Sequence, residues 1–106
     1  MAWLYLVGAG VLEIGWPIGL KLGWTENGAR PLFLGFAIFC IIASGALLML
    51  AQRTIPMGTA YAVWTGIGAA GTFIVGVALY GDPASLMRLL GVAMIVGGVV
   101  TLKLAS

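Results

Sequence analysis

The chain has 106 residues, of which 62% are hydrophobic and 8% charged, and its formal net charge is +2. This composition cannot supply the polar surface of a soluble globule, so the sequence is that of a membrane protein. The chain contains no histidine, which excludes a histidine-dependent triad or metal site, and we expect no metal and no cofactor. It also lacks a nucleophile–base arrangement, so we do not expect an enzyme. The basic residues are dispersed, which argues against a nucleic-acid partner.

Four apolar segments follow one another along the chain, and charged residues stand at or near their ends. Each segment has roughly the 17–25 residues that a membrane-spanning helix needs. The predicted helices cover residues 2–22, 32–52, 57–80 and 85–104. The connections are short and contain Gly, Pro or a charge. The sequence therefore predicts an all-α membrane protein with a single four-helix transmembrane domain, residues 1–106, in an up-and-down arrangement.

The first helix carries Glu13, the only acidic residue inside any apolar segment. A carboxylate at mid-membrane depth costs about 2.5–3.5 kcal/mol on insertion scales, so it is expected to meet a cation, a proton or a partner. Gly10, Trp16 and Pro17 share its helix face. Gly10 is predicted to clear space beside the carboxylate. Trp16 can donate its indole N–H to Glu13 or hold a cation against its ring.

Pro17 has no backbone N–H, so the carbonyl of Glu13 lacks the helical hydrogen bond that it would otherwise accept. In a membrane such a carbonyl needs another partner. Two interpretations are compatible with the sequence, and they do not exclude each other. The carbonyl is an extra acceptor for a substrate with several N–H donors, or Pro17 produces a kink that widens the cavity.

The second helix has one hydroxyl near mid-depth, Ser44. Its predicted partner is either a carbonyl of its own helix or the Glu13 carboxylate. On the third helix, Tyr61, Trp64 and Gly68 share one face with a threonine. That face is aromatic and hydroxylic rather than aliphatic, which suits recognition of a cation.

Gly66 and Gly68 belong to a G-x-G-x-x-G pattern. The pattern indicates dinucleotide binding only between a strand and a helix, with an acidic residue about 20 positions later, and neither condition is met. We therefore expect these glycines to shape the pocket by a bend or by close helix contact.

The fourth helix places Gly91 and Gly98 one heptad apart on one stripe, which is a candidate seam between two copies of the chain. Four short helices can hardly enclose a cavity around one carboxylate, so an oligomer is expected. The basic residues divide almost equally between the two sides of the membrane, and the positive-inside rule gives no clear orientation. Insertion in both orientations, with inverted pairing, therefore stays open.

The motif GTAYAVWTGIGA, from Gly58 to Ala69, follows Ile55-Pro56. Together with the opening residues MAWL and the segment from Glu13 to Lys21, it resembles the small multidrug resistance family, and specifically its guanidinium-exporter branch. The resemblance extends over essentially the whole chain. It implies a multi-pass protein of the bacterial inner membrane that forms a dual-topology, antiparallel homodimer of four-helix subunits.

The resemblance also implies an activity and a set of site residues. Glu13 would bind protons and a cationic substrate in alternation, within a hydrogen-bonding network formed by Trp16, Ser44, Tyr61 and Trp64. The expected function is proton-coupled export of guanidinium or small guanidine-derived cations, such as substituted guanidines or guanylurea. The alternatives are a promiscuous exporter of quaternary ammonium compounds, one subunit of a paired heterodimeric transporter, or a structural or regulatory subunit that transports nothing.

Overall fold

The computed structural model of the protein describes residues 1–105. In this part of the chain, four α-helices flank one short antiparallel β-hairpin. The elements are α1 (Ala2–Gly23), β1 (Trp24–Thr25), β2 (Gly28–Ala29), α2 (Pro31–Ala51), α3 (Met57–Tyr80) and α4 (Leu86–Ala105). Each helix is long and apolar enough to cross a membrane. The predicted class, an all-α protein with four membrane-spanning helices, is confirmed.

The ends of the helices coincide with residues that favour a stop or a start. Pro31 occupies the first turn of α2, where its missing N–H interrupts no helical hydrogen bond. Gly81 ends α3 in the left-handed conformation, with φ of 68°, which glycine adopts without a steric penalty. At the start of α4, the hydroxyl of Ser85 accepts the backbone N–H of Arg88 at 3.3 Å, as an N-cap residue does.

The connection between α1 and α2 is a hairpin, whereas the sequence predicted only a turn. Trp24 pairs with Ala29, and Thr25 pairs with Gly28. The hydroxyl of Thr25 also donates to the carbonyl of Gly28 at 2.9 Å, and Gly28 has φ of 111°. Two-residue strands are too short to show alternation of polar and apolar residues, so the sequence pattern could not reveal them.

Helix α1 packs against both α2 and α3. Two of its glycines face α2: Gly15 lies against Cys40, and Gly19 lies against Ala37. A β-carbon on Gly19 would come within 2.9 Å of the Ala37 β-carbon and 3.0 Å of the Phe33 carbonyl oxygen. These small residues therefore serve close packing of α1 and α2 within one chain.

Helix α4 lies at the edge of the protomer, and none of its residues is buried there. Only its second half reaches the hydrophobic core, through Val99 and Leu102. The buried members of that core come from α1, the end of α2 and the start of α3: Leu6, Ala51, Ile55, Ala60 and Val63. The protomer is flat, with extents of 47 × 34 × 16 Å.

The proposed seam on α4 is open in the protomer. A β-carbon placed on Gly91 or on Gly98 would have no neighbouring atom within 4 Å. Neither glycine is therefore needed for close packing inside the chain.

Replacing Gly19 with valine tests the packing of α1 on α2. The added side chain would meet Ala37 and the Phe33 carbonyl, so we expect a loss of roughly 1–3 kcal/mol in the free energy of unfolding. Gly35→Val is the matched control, because a β-carbon on Gly35 meets nothing within 4 Å. Unfolding of both variants in mixed detergent micelles, followed by circular dichroism, measures the difference. Equal stability of the two variants would contradict the assignment.

Candidate functional site

The carboxylate of Glu13 is held by its neighbour one helical turn further along α1. The indole Nε1 of Trp16 donates to Oε1 of Glu13. The opposite wall is the backbone of α3 at Gly68, where a β-carbon would come within 2.6 Å of Cγ of Glu13. Glycine at position 68 therefore lets the Glu13 side chain lie directly on α3, and the sequence pattern had placed both residues in the site.

A second set of hydrogen bonds, centred on Ser44, joins α1, α2 and α3 close to Glu13. Oγ of Ser44, which is 1% exposed, donates to the Ala9 carbonyl at 2.6 Å. Nε1 of Trp64 in turn donates to Oγ of Ser44 at 2.8 Å. In an α-helix the carbonyl of residue 9 also accepts the N–H of residue 13. The pair formed by Ser44 and Trp64 thus holds the backbone turn that carries Glu13.

The partner of Ser44 differs from both sequence-based expectations. It is neither a carbonyl of α2 nor the Glu13 carboxylate but a carbonyl of α1. The reason is geometric: α2 packs against α1 so that the Ser44 hydroxyl meets α1 one turn before Glu13, at the Ala9 carbonyl.

The Tyr61 ring meets this group of residues through an aromatic contact with Trp64. Its ring centroid lies 5.4 Å from that of Trp64, at an interplanar angle of 53°. The Tyr61 side chain is 56% exposed, and Tyr61 does not line the cavity that contains Glu13. Within one protomer, therefore, Tyr61 stands apart from the carboxylate.

A cavity of about 470 Å³ opens between α1 and α3 beside the carboxylate, and we call it the Glu13 cavity. Its lining residues are Glu13, Trp16, Pro17, Thr65, Gly68, Ala69, Thr72, Phe73 and Asp82. Sequence reasoning missed Thr72, Phe73 and Asp82 as site residues. Thr72 could have been found, because it lies four positions after Gly68 and continues the same helix face. In the sequence, Asp82 is one of the charged residues that stand at the ends of the apolar segments, and nothing marks it as a site residue.

Two glycines assigned to the site lie elsewhere. Gly10 does not clear space beside the carboxylate, because Ile67 fills it: a β-carbon on Gly10 would come within 2.8 Å of that side chain. Gly66 faces Val99 of α4 and lines a different cavity, of about 640 Å³, between α3 and α4. No charged side chain lines that cavity. Both glycines allow close approach of helices rather than contact with Glu13.

Glu13 has no cationic partner within residues 1–105. Its one side-chain hydrogen bond there comes from Trp16. Lys21, the basic residue of α1, places its ammonium 4.4 Å from the centroid of the Tyr80 ring. A carboxylate within a membrane-spanning helix is energetically costly when no cation lies beside it.

The four membrane-spanning helices, one of which carries this carboxylate, define a multi-pass membrane protein. The chain matches the family model described as Small Multidrug Resistance protein over residues 1–95, and it belongs to that family. It is therefore a transporter of the bacterial inner membrane and not an enzyme.

Similar proteins cover the full length of the chain. It is 48% identical over 106 residues to a protein of Yersinia pseudotuberculosis named guanidinium exporter, and the match covers 100% of both chains. A guanidinium exporter of Proteus vulgaris is 47% identical, again with full coverage of both chains. One from Citrobacter freundii is 48% identical, with 100% of this chain and 99% of the relative covered.

Replacing Ser44 with alanine would leave the Trp64 indole N–H without its acceptor. We expect a loss of about 1–3 kcal/mol in the free energy of unfolding. Thr101→Val is the matched control, because the Thr101 hydroxyl bonds a carbonyl of its own helix, that of Gly97, in an exposed position. Its removal should change stability by less than about 0.5 kcal/mol. Tryptophan fluorescence during unfolding in micelles measures the free energy of unfolding of both variants. If Thr101→Val loses as much stability as Ser44→Ala, the role of Ser44 as the acceptor for Trp64 is contradicted.

Proposed function

We propose that this protein exports guanidinium, or small guanidine-derived cations, in exchange for protons, and that Glu13 binds both. The observation that carries the proposal is a membrane-embedded carboxylate held by Trp16, without a cationic partner in residues 1–105, at the wall of a cavity. The full-length similarity to proteins named guanidinium exporters supports the choice of substrate.

Guanidinium suits this cavity for reasons of charge and shape. It keeps its proton at biological pH, and its planar fork of N–H donors matches a carboxylate. Trp16 uses one acceptor position of Glu13, and a carboxylate offers about four. Thr65 and Thr72 line the same cavity, and a threonine hydroxyl can accept an N–H group. A tetraalkylammonium ion has no N–H donors and would leave these acceptors without hydrogen bonds.

Exchange follows from competition for one group. A carboxylate that holds a proton is neutral and does not attract a cation, whereas a carboxylate that holds guanidinium has released its proton. If the cavity opens to one side of the membrane at a time, a proton gradient drives the cation outward. The direction of transport is then set by the gradient, while Glu13 supplies the coupling.

The active unit in this proposal is an antiparallel homodimer in the bacterial inner membrane. The unburied α4, with its open stripe at Gly91 and Gly98, supports a second copy at that surface. The nearly equal division of basic residues is compatible with an inverted orientation of that copy. Tyr61, exposed in the protomer, would then join the network across the dimer. A paired homologous subunit is the alternative, and purified chain that transports on its own would exclude any need for it.

Replacing Glu13 with glutamine should abolish guanidinium-triggered currents in proteoliposomes, because an amide cannot exchange a proton for a cation. Glu26→Gln is the matched control: it makes the same chemical change in the hairpin region between β1 and β2, away from the Glu13 cavity, and should keep the currents. Proton-coupled transport that persists in the Glu13 variant would refute the mechanism. Absence of guanidinium currents in the unaltered protein would refute the substrate.

Replacing Pro17 with alanine tests whether the Glu13 carbonyl, to which residue 17 cannot donate, binds substrate. Alanine supplies the missing backbone N–H, which would bond this carbonyl. Since one hydrogen bond contributes about 0.5–1.5 kcal/mol, guanidinium affinity should fall roughly two- to tenfold. Binding of tetramethylammonium, measured in parallel by tryptophan fluorescence, should not change, because this ion has no N–H groups. An equal change for both ions would indicate that Pro17 acts only on the width of the cavity.

A further inference from the structure

The side chain of Asp82 lies inside the groove between α1 and α3 although the residue follows the end of α3. A β-carbon on Gly76 would come within 3.2 Å of Cγ of Asp82, so the carboxylate folds back against that helix. Its backbone N–H donates to the Gly76 carbonyl at 3.1 Å, and the left-handed Gly81 makes this reversal possible. The fold thus directs an acidic side chain back along the groove.

Asp82 lines two adjoining cavities. One is the Glu13 cavity, and the other, of about 140 Å³, continues along α1 and α3 past Pro17 and Thr72 to Lys21. Gly76 lies eight residues after Gly68, which corresponds to about 12 Å along α3. The Glu13 and Asp82 side chains therefore lie against α3 at positions about two helical turns apart, along one groove.

No structural role within residues 1–105 occupies the Asp82 carboxylate. It does not cap α4, since Ser85 does so. It has no ion pair, because Lys21 lies over the ring of Tyr80 and the Arg88 guanidinium donates to Ser85 at 3.4 Å. Asp82 also follows the C-terminal end of α3, where the helix dipole is negative and disfavours another negative charge. The negative end of the helix and the carboxylate together favour a cation beside Asp82. Lys21, which lines the smaller cavity as well, places its ammonium over the Tyr80 ring.

We propose that Asp82 is an outer cation-binding residue of the transport groove, through which guanidinium passes between water and Glu13. This inference rests on the proposed function. A carboxylate at the mouth of a narrow groove raises the local concentration of cations and the rate at which they bind. Glu13 remains the group that exchanges the cation for a proton, and Asp82 increases the rate at which the cation reaches Glu13.

The test compares Asp82→Asn with Glu26→Gln in proteoliposomes at low and high ionic strength. Both variants remove one negative charge per chain from a connection between helices, but Glu26 does not line the groove. At low salt, Asp82→Asn should raise the guanidinium concentration for half-maximal current about three- to tenfold, while the current at saturation stays within about twofold of that of the unaltered protein. The shift should shrink at high salt. Asp82→Glu should restore most of the lost affinity.

A second variant, Gly76→Ala, keeps the charge of Asp82 but displaces its carboxylate, because the added methyl group would collide with it. We expect a smaller shift in the same direction. The role of Asp82 would be overturned if Asp82→Asn and Glu26→Gln gave the same guanidinium concentration for half-maximal current. It would also be overturned if neither variant changed that concentration. If the unaltered protein and Glu26→Gln transport guanidinium, and Glu13→Gln does not, that result would leave the proposed function intact. An unaltered protein without guanidinium currents would instead refute the proposed function itself.

Discussion

The hydrogen bond from the Trp16 indole to the Glu13 carboxylate holds an acidic group within the bundle, and the surrounding helices must accommodate that group. This acid lies within a membrane-spanning helix, so the protein must provide polar contacts without filling the space that a ligand needs. Helix α3 meets this requirement at Gly68, where its backbone is bare and the Glu13 side chain can rest against it. Ser44 and Trp64 fix the preceding turn of α1 through the Ala9 carbonyl and not through the carboxylate. The carboxylate therefore keeps free acceptor positions while its backbone is held firmly.

Much of this arrangement is encoded locally and could be predicted from the sequence. Long apolar segments bounded by charges predict helices that cross a membrane, because such helices satisfy their own backbone groups. Helical periodicity places Glu13, Trp16 and Pro17 on one face, and all three line the same cavity in the structure. These relations depend on residues three or four positions apart. They do not depend on how one helix packs against another.

The remaining relations depend on the register between helices, which a single sequence does not contain. Gly10 shares the face of Glu13, yet Ile67 occupies the space beside it because α3 lies close at that level. Asp82 reaches the groove only because the chain reverses at Gly81. The position of α4 could not be predicted from the sequence either. Its apolar residues predict a membrane-spanning helix, but they do not predict that its first half lies away from the hydrophobic core.

The flat shape of the protomer has a consequence for how the protein behaves in different lipid environments. With a thickness of 16 Å and an α4 that buries no residue, most of that helix is solvated by acyl chains whenever a second copy is absent. If a second copy binds α4, as proposed above, lipid and protein compete for the same surface. Association would then be governed by the mole fraction of the chain in the bilayer, not by its concentration in the bulk sample. The lipid-to-protein ratio would act as a thermodynamic variable, to be controlled whenever transport is compared between preparations.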